Sequence, residues 1–363
     1  MAFKKPQVTQ VKTDIQSLSI YLRSVKKFGK TTLFRDLVLE KFGDPTRGLL
    51  VGVGAEVGYS ILDNLNATQI EDWDDAVELK DWLIEEKGKE HNIEMVAYDV
   101  VGELMPMAED EIIRLSIKET GKPCKSFNSA FGGYGEPRKR LLKLLKEYFA
   151  ELKKAGIMPF AIAHTKVKSI KEKGDDSEGY NTLTSDLSND CEGIFGDIFD
   201  CVLTGYIDRS VENGKTTSEV RKLYLRGNGF VDAGCRFSND AVPEYIVFDK
   251  PNMAREFINV LEEGLRKSRT TQISKSDFKK EQKKEQNELN TKAQAKQQEA
   301  ESNKKAENEK YIKEEKLETI KNNMAKLDFD KLTPIMSKHK VSSFEDSSLI
   351  PMECLDEILE LIK

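Results

Sequence analysis

The chain has 363 residues, with 57 Lys and Arg against 63 Asp and Glu and a formal charge of -6. That length exceeds one compact core, so a large domain with an appendage, or two domains, is expected; the slight acidic excess excludes a uniformly basic nucleic-acid coat while leaving local basic patches open. Cys124, Cys191, Cys201, Cys235 and Cys354 are scattered without a C-x-x-C pair and read as reduced thiols, and the absence of an apolar leader or a long apolar run points to a soluble, intracellular protein.

Up to about residue 264, short apolar runs alternate with amphipathic stretches, the pattern of strands joined by crossover helices. The predicted fold class is α/β with a parallel sheet, mixed at its edge and flanked by helices. Strands are expected at 18–22, 48–54, 93–98, 157–163, 199–206, 220–226 and 244–248. A helix after the first strand carries Leu33, Leu37 and Val38 on one side and stops near Gly43, suited to a left-handed C-cap. Another runs over 137–154, with Pro137 in its first turn and Leu141, Leu144, Leu145, Tyr148 and Leu152 as its buried stripe.

From 266 to 315 the composition shifts to Lys, Glu, Gln, Asn and Ala, with Phe278 and Leu289 the large apolar residues between 275 and 310. Such a segment cannot bury a core, and without Gly or Pro it reads as a solvated, fraying helix or a disordered linker. Apolar spacing returns at Leu317, Ile320, Met324 and Leu327 and again at Leu355, Ile358, Leu359 and Ile362, predicting a small C-terminal helical unit. The expected division is therefore a core at 1–265, a charged linker at 266–315 and a helical unit at 316–363.

The run Ser24-Val-Lys-Lys-Phe-Gly-Lys-Thr-Thr32 lies between the first strand and the first helix. A phosphate-binding loop sits there because backbone N–H groups at a helix N-terminus cradle anions. Lys27, Phe28, Gly29, Lys30, Thr31 and Thr32 form the candidate nucleotide cradle, with Lys30 reaching the β- and γ-phosphates and Thr31 ligating Mg²⁺. The pattern departs from G-x-x-x-x-G-K-[ST] at its first position, where this chain has Ser24 in place of the glycine that eases a tight turn. Asp99 ends the run Met95-Val-Ala-Tyr at the edge of the sheet where ligands of open α/β folds gather, and is the candidate Mg²⁺ carboxylate. Its alternative is a strand-ending turn residue.

These features, taken in order, resemble the RecA-like ATPases, most closely the phage-encoded ATP-binding proteins that act in single-strand annealing or recombination. The series continues through Gly54-Ala-Glu56, Met95-Val-Ala-Tyr-Asp99, Phe131-Gly-Gly-Tyr-Gly135, Ala161-Ile-Ala-His164 and Gly234-Cys-Arg-Phe237, and spans roughly residues 15–264. The resemblance implies that Glu56 orients the attacking water, that His164 senses the γ-phosphate, and that Lys222 and Arg226 are cations lent to a neighbouring subunit's ATP. It further implies self-assembly into a ring or filament and residence in the host cytoplasm.

In that arrangement the loops after the Asp99 and His164 strands touch single-stranded DNA. The insertion at 105–137 supplies Phe131 and Tyr134, with Arg138 directly after it, and a loop at 165–190 supplies Lys166, Lys168, Lys171 and Lys173, cations and aromatics suited to backbone neutralisation and base stacking. Solvated mobile loops are the plain alternative. A second functional reading is a nucleotide-binding scaffold in which Ser24 blunts hydrolysis and the C-terminal region recruits a protein partner.

Overall fold

The computed structural model describes residues 14–55, 62–171, 179–212, 215–238, 240–269, 273–324, 327–341, 343–344 and 350–361. In chain order the elements are β1 (Ile20–Ser24), α1 (Lys30–Phe42), β2 (Gly48–Val53), β3 (Asn66–Ile70), α2 (Trp73–Glu85), β4 (Met95–Asp99), α3 (Val101–Thr120) and α4 (Glu136–Lys154). They continue as β5 (Met158–Ile170), β6 (Tyr180–Ser185), α5 (Asn189–Ile198), β7 (Cys201–Glu212), β8 (Lys215–Tyr224), β9 (Gly234–Cys235), β10 (Tyr245–Val247) and α6 (Met253–Lys267). After these come α7 (Lys275–Asn322), α8 (Phe329–Lys338) and α9 (Met352–Glu360).

The sheet order is β10-β8-β7-β1-β5-β4-β2-β3, with β6 beside β5 and β9 beside β7. From β7 to β3 every neighbour is parallel, and antiparallel pairing begins at β8 and β10. The expected α/β sheet, parallel and mixed at its edge, is thus what the chain forms. β1, β2 and β4 are buried along their whole length, as sheets covered on both faces require. Alternation along β1 divides its side chains between two cores. Ile20 and Leu22 pack with Leu33, Phe34 and Leu37 of α1 and Phe257 and Leu261 of α6, while Tyr21 joins Leu145 and Phe149 of α4 and Phe195 of α5.

Helix α1 stops where its sequence says it should: Gly43 is left-handed, φ 67°, and its N–H donates to Leu39 O at 2.8 Å. Two expected loops are regular structure instead. The insertion after Asp99 is helix α3 as far as Thr120, with Val101, Leu104, Met105, Ala108 and Ile112 as its buried stripe. The segment expected as a loop from 165 is an antiparallel arm, in which the second half of β5 pairs with β6, Val167 opposite Leu183 and Ile170 opposite Tyr180.

The chain divides into two compact units, residues 1–288 and 289–363. In the first, Phe278 near the start of α7 is 2 % exposed and lies under the Arg269 guanidinium, 4.9 Å from the ring centroid. In the second, Leu317 and Ile320 of α7 share a core with Leu332 of α8 and Cys354, Leu355 and Ile358 of α9. Among the described residues no helix is long and apolar enough to cross a membrane, and the five cysteines are free thiols.

Candidate nucleotide site

Parallel pairing brings the functional segments to one edge of the sheet. Ser24 at the end of β1 stands opposite His164 on β5 and Gly205 on β7, while Asp99 ends β4 beside Gly52 of β2 and Ile162 of β5. The chain then turns through 25–29 into α1. Lys27 is left-handed at φ 62°, and Gly29, the residue before α1, has φ 109°, where glycine is at ease and an L side chain is not. A Cβ on Gly29 would also lie 3.0 Å from the Phe248 ring.

Lys30 is 6 % exposed and turns back into the loop: its Nζ donates to Ser24 O and Val25 O, both at 3.2 Å, and lies 3.3 Å from His164 Nδ1. Thr31 Oγ1 donates to Asp99 Oδ2 at 2.8 Å. A hydroxyl oxygen and a carboxylate brought together in this way are the donor pair that a hard divalent cation takes beside nucleotide phosphates. Thr32, the next residue in the first turn of α1, is half-buried.

His164 is half-buried, and its pKa is lowered chiefly by burial and then by the ammonium of Lys30; Asp186 acts in the opposite sense and Lys26 reinforces the lowering. The ring is therefore neutral near pH 7. With Nδ1 facing the Lys30 ammonium, the ring proton belongs on Nε2. A cleft of about 700 Å³ opens here, lined by Val25, Lys26, Glu103, His164, Asp186 and Ser188 among others.

Phe28 supports the loop and does not face the cleft. It is fully buried, its ring centroid 4.5 Å from that of Phe248, and its carbonyl accepts from Arg221 Nη1 at 3.2 Å. Gly205 makes room for it, since a Cβ there would sit 2.7 Å from both the Phe28 ring and Ser24 Cβ. Neither Arg221 nor Gly205 stands out in the sequence. Arg221 belongs to the same alternating charged strand as Lys222, and only the pairing of β8 tells which of the two sides meets the loop.

Lys222 and Arg226 are held by this chain's own carboxylates. Lys222 Nζ is 2.7 Å from Asp208 Oδ2 and 4.6 Å from the Tyr245 ring centroid, and its pKa is raised by that Asp208 contact. Arg226 pairs with Asp240 at 3.4 Å. Neither lines the cleft beside Lys30. Glu56, given the water-orienting role by resemblance, lies outside the described residues.

One residue before the loop, Arg23 is fully buried. It pairs with Glu192 of α5 and with Asp232 at 2.9 Å, and donates to Thr184 of β6 at 3.0 Å and Thr204 of β7 at 2.9 Å. A buried guanidinium persists only when so satisfied. The network fastens β6 and α5 to the strand that carries the phosphate loop; Asp186, Leu187 and Ser188 between them, and Cys191 of α5, line the cleft.

The residues expected to meet nucleic acid fall into two groups. Residues 131–135 all have positive φ, from 52° at Phe131 and Tyr134 to 86° at Gly132. This turn leaves Tyr134 fully exposed, but it half-buries Phe131 and covers its ring with the Arg140 guanidinium, 3.6 Å from the centroid. Arg138 and Lys139 line a second cleft of about 440 Å³ with Phe127, Asn128 and Leu142. On the β5–β6 arm Lys166 is exposed, as is Lys171 just beyond β5, whereas Lys168 Nζ donates to Leu187 O at 2.5 Å and is engaged near the start of α5. Lys173 lies outside the described residues.

Comparison with curated proteins yields no match. Residues 16–237, more than half of the chain and all of the elements that build this cleft, match the AAA domain family. With its phosphate loop at the end of a parallel strand, Lys30 turned into that loop and Asp99 bonded to Thr31, the chain belongs to the AAA domain family and carries its ATPase-type nucleotide domain.

Proposed function

We propose that this protein binds ATP with Mg²⁺, hydrolyses it, and uses that cycle on single-stranded DNA in recombination or annealing. The observation that carries the nucleotide part is the convergence of Lys30, the Thr31–Asp99 pair and His164 at one sheet edge. Mg²⁺ would supply charge neutralisation on the β- and γ-phosphate oxygens, and Thr31 and Asp99 are the residues that would hold it. Lys30 would exchange its two carbonyl partners for phosphate oxygens. His164, neutral and carrying its proton on Nε2, would donate to the γ-phosphate and pass its presence to the β5–β6 arm that starts at the next residue.

The DNA part is supported by chemistry of a different kind. Tyr134 offers an unobstructed ring on a turn, and Arg138, Lys139, Lys166 and Lys171 supply cations around the same end of the sheet. Stacking on an aromatic ring with phosphates neutralised alongside is how single strands are held without regard to sequence. Self-assembly into a ring or filament, with Lys222 or Arg226 reaching a neighbour's nucleotide, belongs to the same proposal and requires each to leave its own aspartate.

The test is turnover of ATP with and without single-stranded DNA, combined with a salt titration of labelled oligonucleotide binding. Stimulated hydrolysis is expected, with the log-log salt slope falling by roughly 0.7 for each phosphate contact removed at Lys166 or Lys171. Tight nucleotide binding without turnover would favour the scaffold reading. A protein that binds no single strand at low salt would refute the DNA part.

A further inference from the structure

Three carboxylates face the cleft beside Lys30: Glu103, Glu109 and Asp186. They are not equivalent. Asp186 stands on the β5 side, where its charge acts on the His164 ring. Glu109 lies further along α3, where burial and the neighbouring Asp110 raise its pKa, and it also lines the second cleft. Glu103 is in the first turn of α3, four residues after the aspartate that takes the Thr31 hydroxyl.

Its side chain leans from α3 toward the end of β2. Glu103 Cβ is 3.6 Å, and Oε2 3.8 Å, from where a Cβ on Gly54 would stand, and Gly54 is itself left-handed at φ 63°. Among the described residues no side-chain hydrogen bond or ion pair engages the Glu103 carboxylate, which is exposed to the cleft. The neighbouring carboxylate of Asp99, by contrast, is committed to Thr31.

We propose that Glu103 is a catalytic carboxylate that holds and deprotonates the water attacking the γ-phosphate. The inference rests on the ATPase reading above. With phosphates over Lys30 and Thr31, an in-line water needs open space beside the loop, and the cleft that Glu103 lines together with Val25, Lys26 and His164 supplies it. The bond from the water oxygen to the γ-phosphorus forms as the bond from that phosphorus to the β–γ bridging oxygen breaks. The water proton passes to Glu103 and then to solvent, and ADP and inorganic phosphate leave. Glu103 thereby takes the task that the resemblance alone gives to Glu56.

The experiment is single-turnover hydrolysis of ATP by the full chain, with nucleotide affinity measured on the same samples. Glu103→Gln is expected to bind ATP within about twofold of the parent while its hydrolysis rate falls by at least about 100-fold, the range for loss of a positioned base. Glu103→Asp, whose carboxylate is one methylene short, should give an intermediate rate. A purely structural acid in the first helical turn would instead lower the melting temperature of both variants without separating rate from affinity. Parental single-turnover rates in Glu103→Gln, with Glu56→Gln inactive, would overturn the assignment and leave the ATPase reading intact. A parent protein that binds ATP and never hydrolyses it would overturn both.

Discussion

Gly205→Ala is a substitution far from the phosphate loop in sequence that should damage it in space. Gly205 is paired with Ser24 in the β1–β7 register, and a methyl group there would lie 2.7 Å from Phe28 Cε1 and Cζ and 2.7 Å from Ser24 Cβ. Neither neighbour yields easily. Ser24 is fixed in a fully buried strand, and Phe28 is wedged against Phe248 with its carbonyl held by Arg221. Overpacking of a filled site costs about 1 to 3 kcal/mol. Because both contacts belong to the loop, we expect that cost in nucleotide affinity, a weakening of roughly 5- to 150-fold, with a lowered melting temperature. Equilibrium titration with a fluorescent ATP analogue and Mg²⁺ measures it. In a Phe28→Leu background the smaller side chain leaves room for the methyl, so the penalty should shrink by a coupling of about 0.5 to 3 kcal/mol. Parental affinity and parental melting temperature in Gly205→Ala would refute the claim that Phe28 sets the loop.

Lys30→Ala should abolish measurable ATP binding in the same titration, because the loop loses the cation that its two carbonyls now hold in place. His164 gives a pH signature: its pKa in the free protein lies below the ordinary 6.5, and a bound phosphate raises it. ATP binding should therefore take up a proton as pH falls below about 6.5, read as a dependence of binding enthalpy on buffer ionisation that vanishes in His164→Asn. The same depressed pKa means that the unfolded chain binds the extra proton first, so His164 disfavours the folded state as pH falls through 6.5 toward its folded value and contributes nothing above. Truncation after Glu288 keeps Phe278 buried and should leave nucleotide affinity unchanged, whereas ending the chain at Leu265 removes that ring and should lower stability by about 1.5 to 3 kcal/mol in denaturant titration.

Where the sequence could be read and where it could not follows from what kind of contact each feature depends on. β1, β2, β4 and the first half of β5 are buried on both faces and so appear as apolar runs, which made the parallel sheet legible. β3 has one fully buried residue, Ile70, and as an edge strand it leaves no such run. In the second half of β5 Lys166 and Lys168 alternate with Val167 and Ser169, a short period of two that the lysine count disguised as a loop. Phe278 sits alone in a charged stretch, and a single apolar residue has no period to reveal it.

The candidate site divides along the same line. Gly29, Lys30 and Thr31 are local, because a loop that opens a helix announces itself within nine residues. Arg221 reaches that loop from 193 residues away and Gly205 touches it from the neighbouring strand β7, while the buried Arg23, next to the loop in sequence, is held by Thr204, 181 residues on. Strand alternation in 220–226 predicts that Arg221 and Lys222 point to opposite faces, but it fixes those faces only relative to each other. Which face meets Phe28 is decided by the antiparallel register that sets Lys222 opposite Tyr206 and Arg221 opposite Ile207. A register shift of one residue would exchange the two cations, placing Lys222 against the loop and Arg221 beside Asp208. The choice between Arg221 and Lys222 is therefore a property of strand pairing that composition and motif spacing cannot contain.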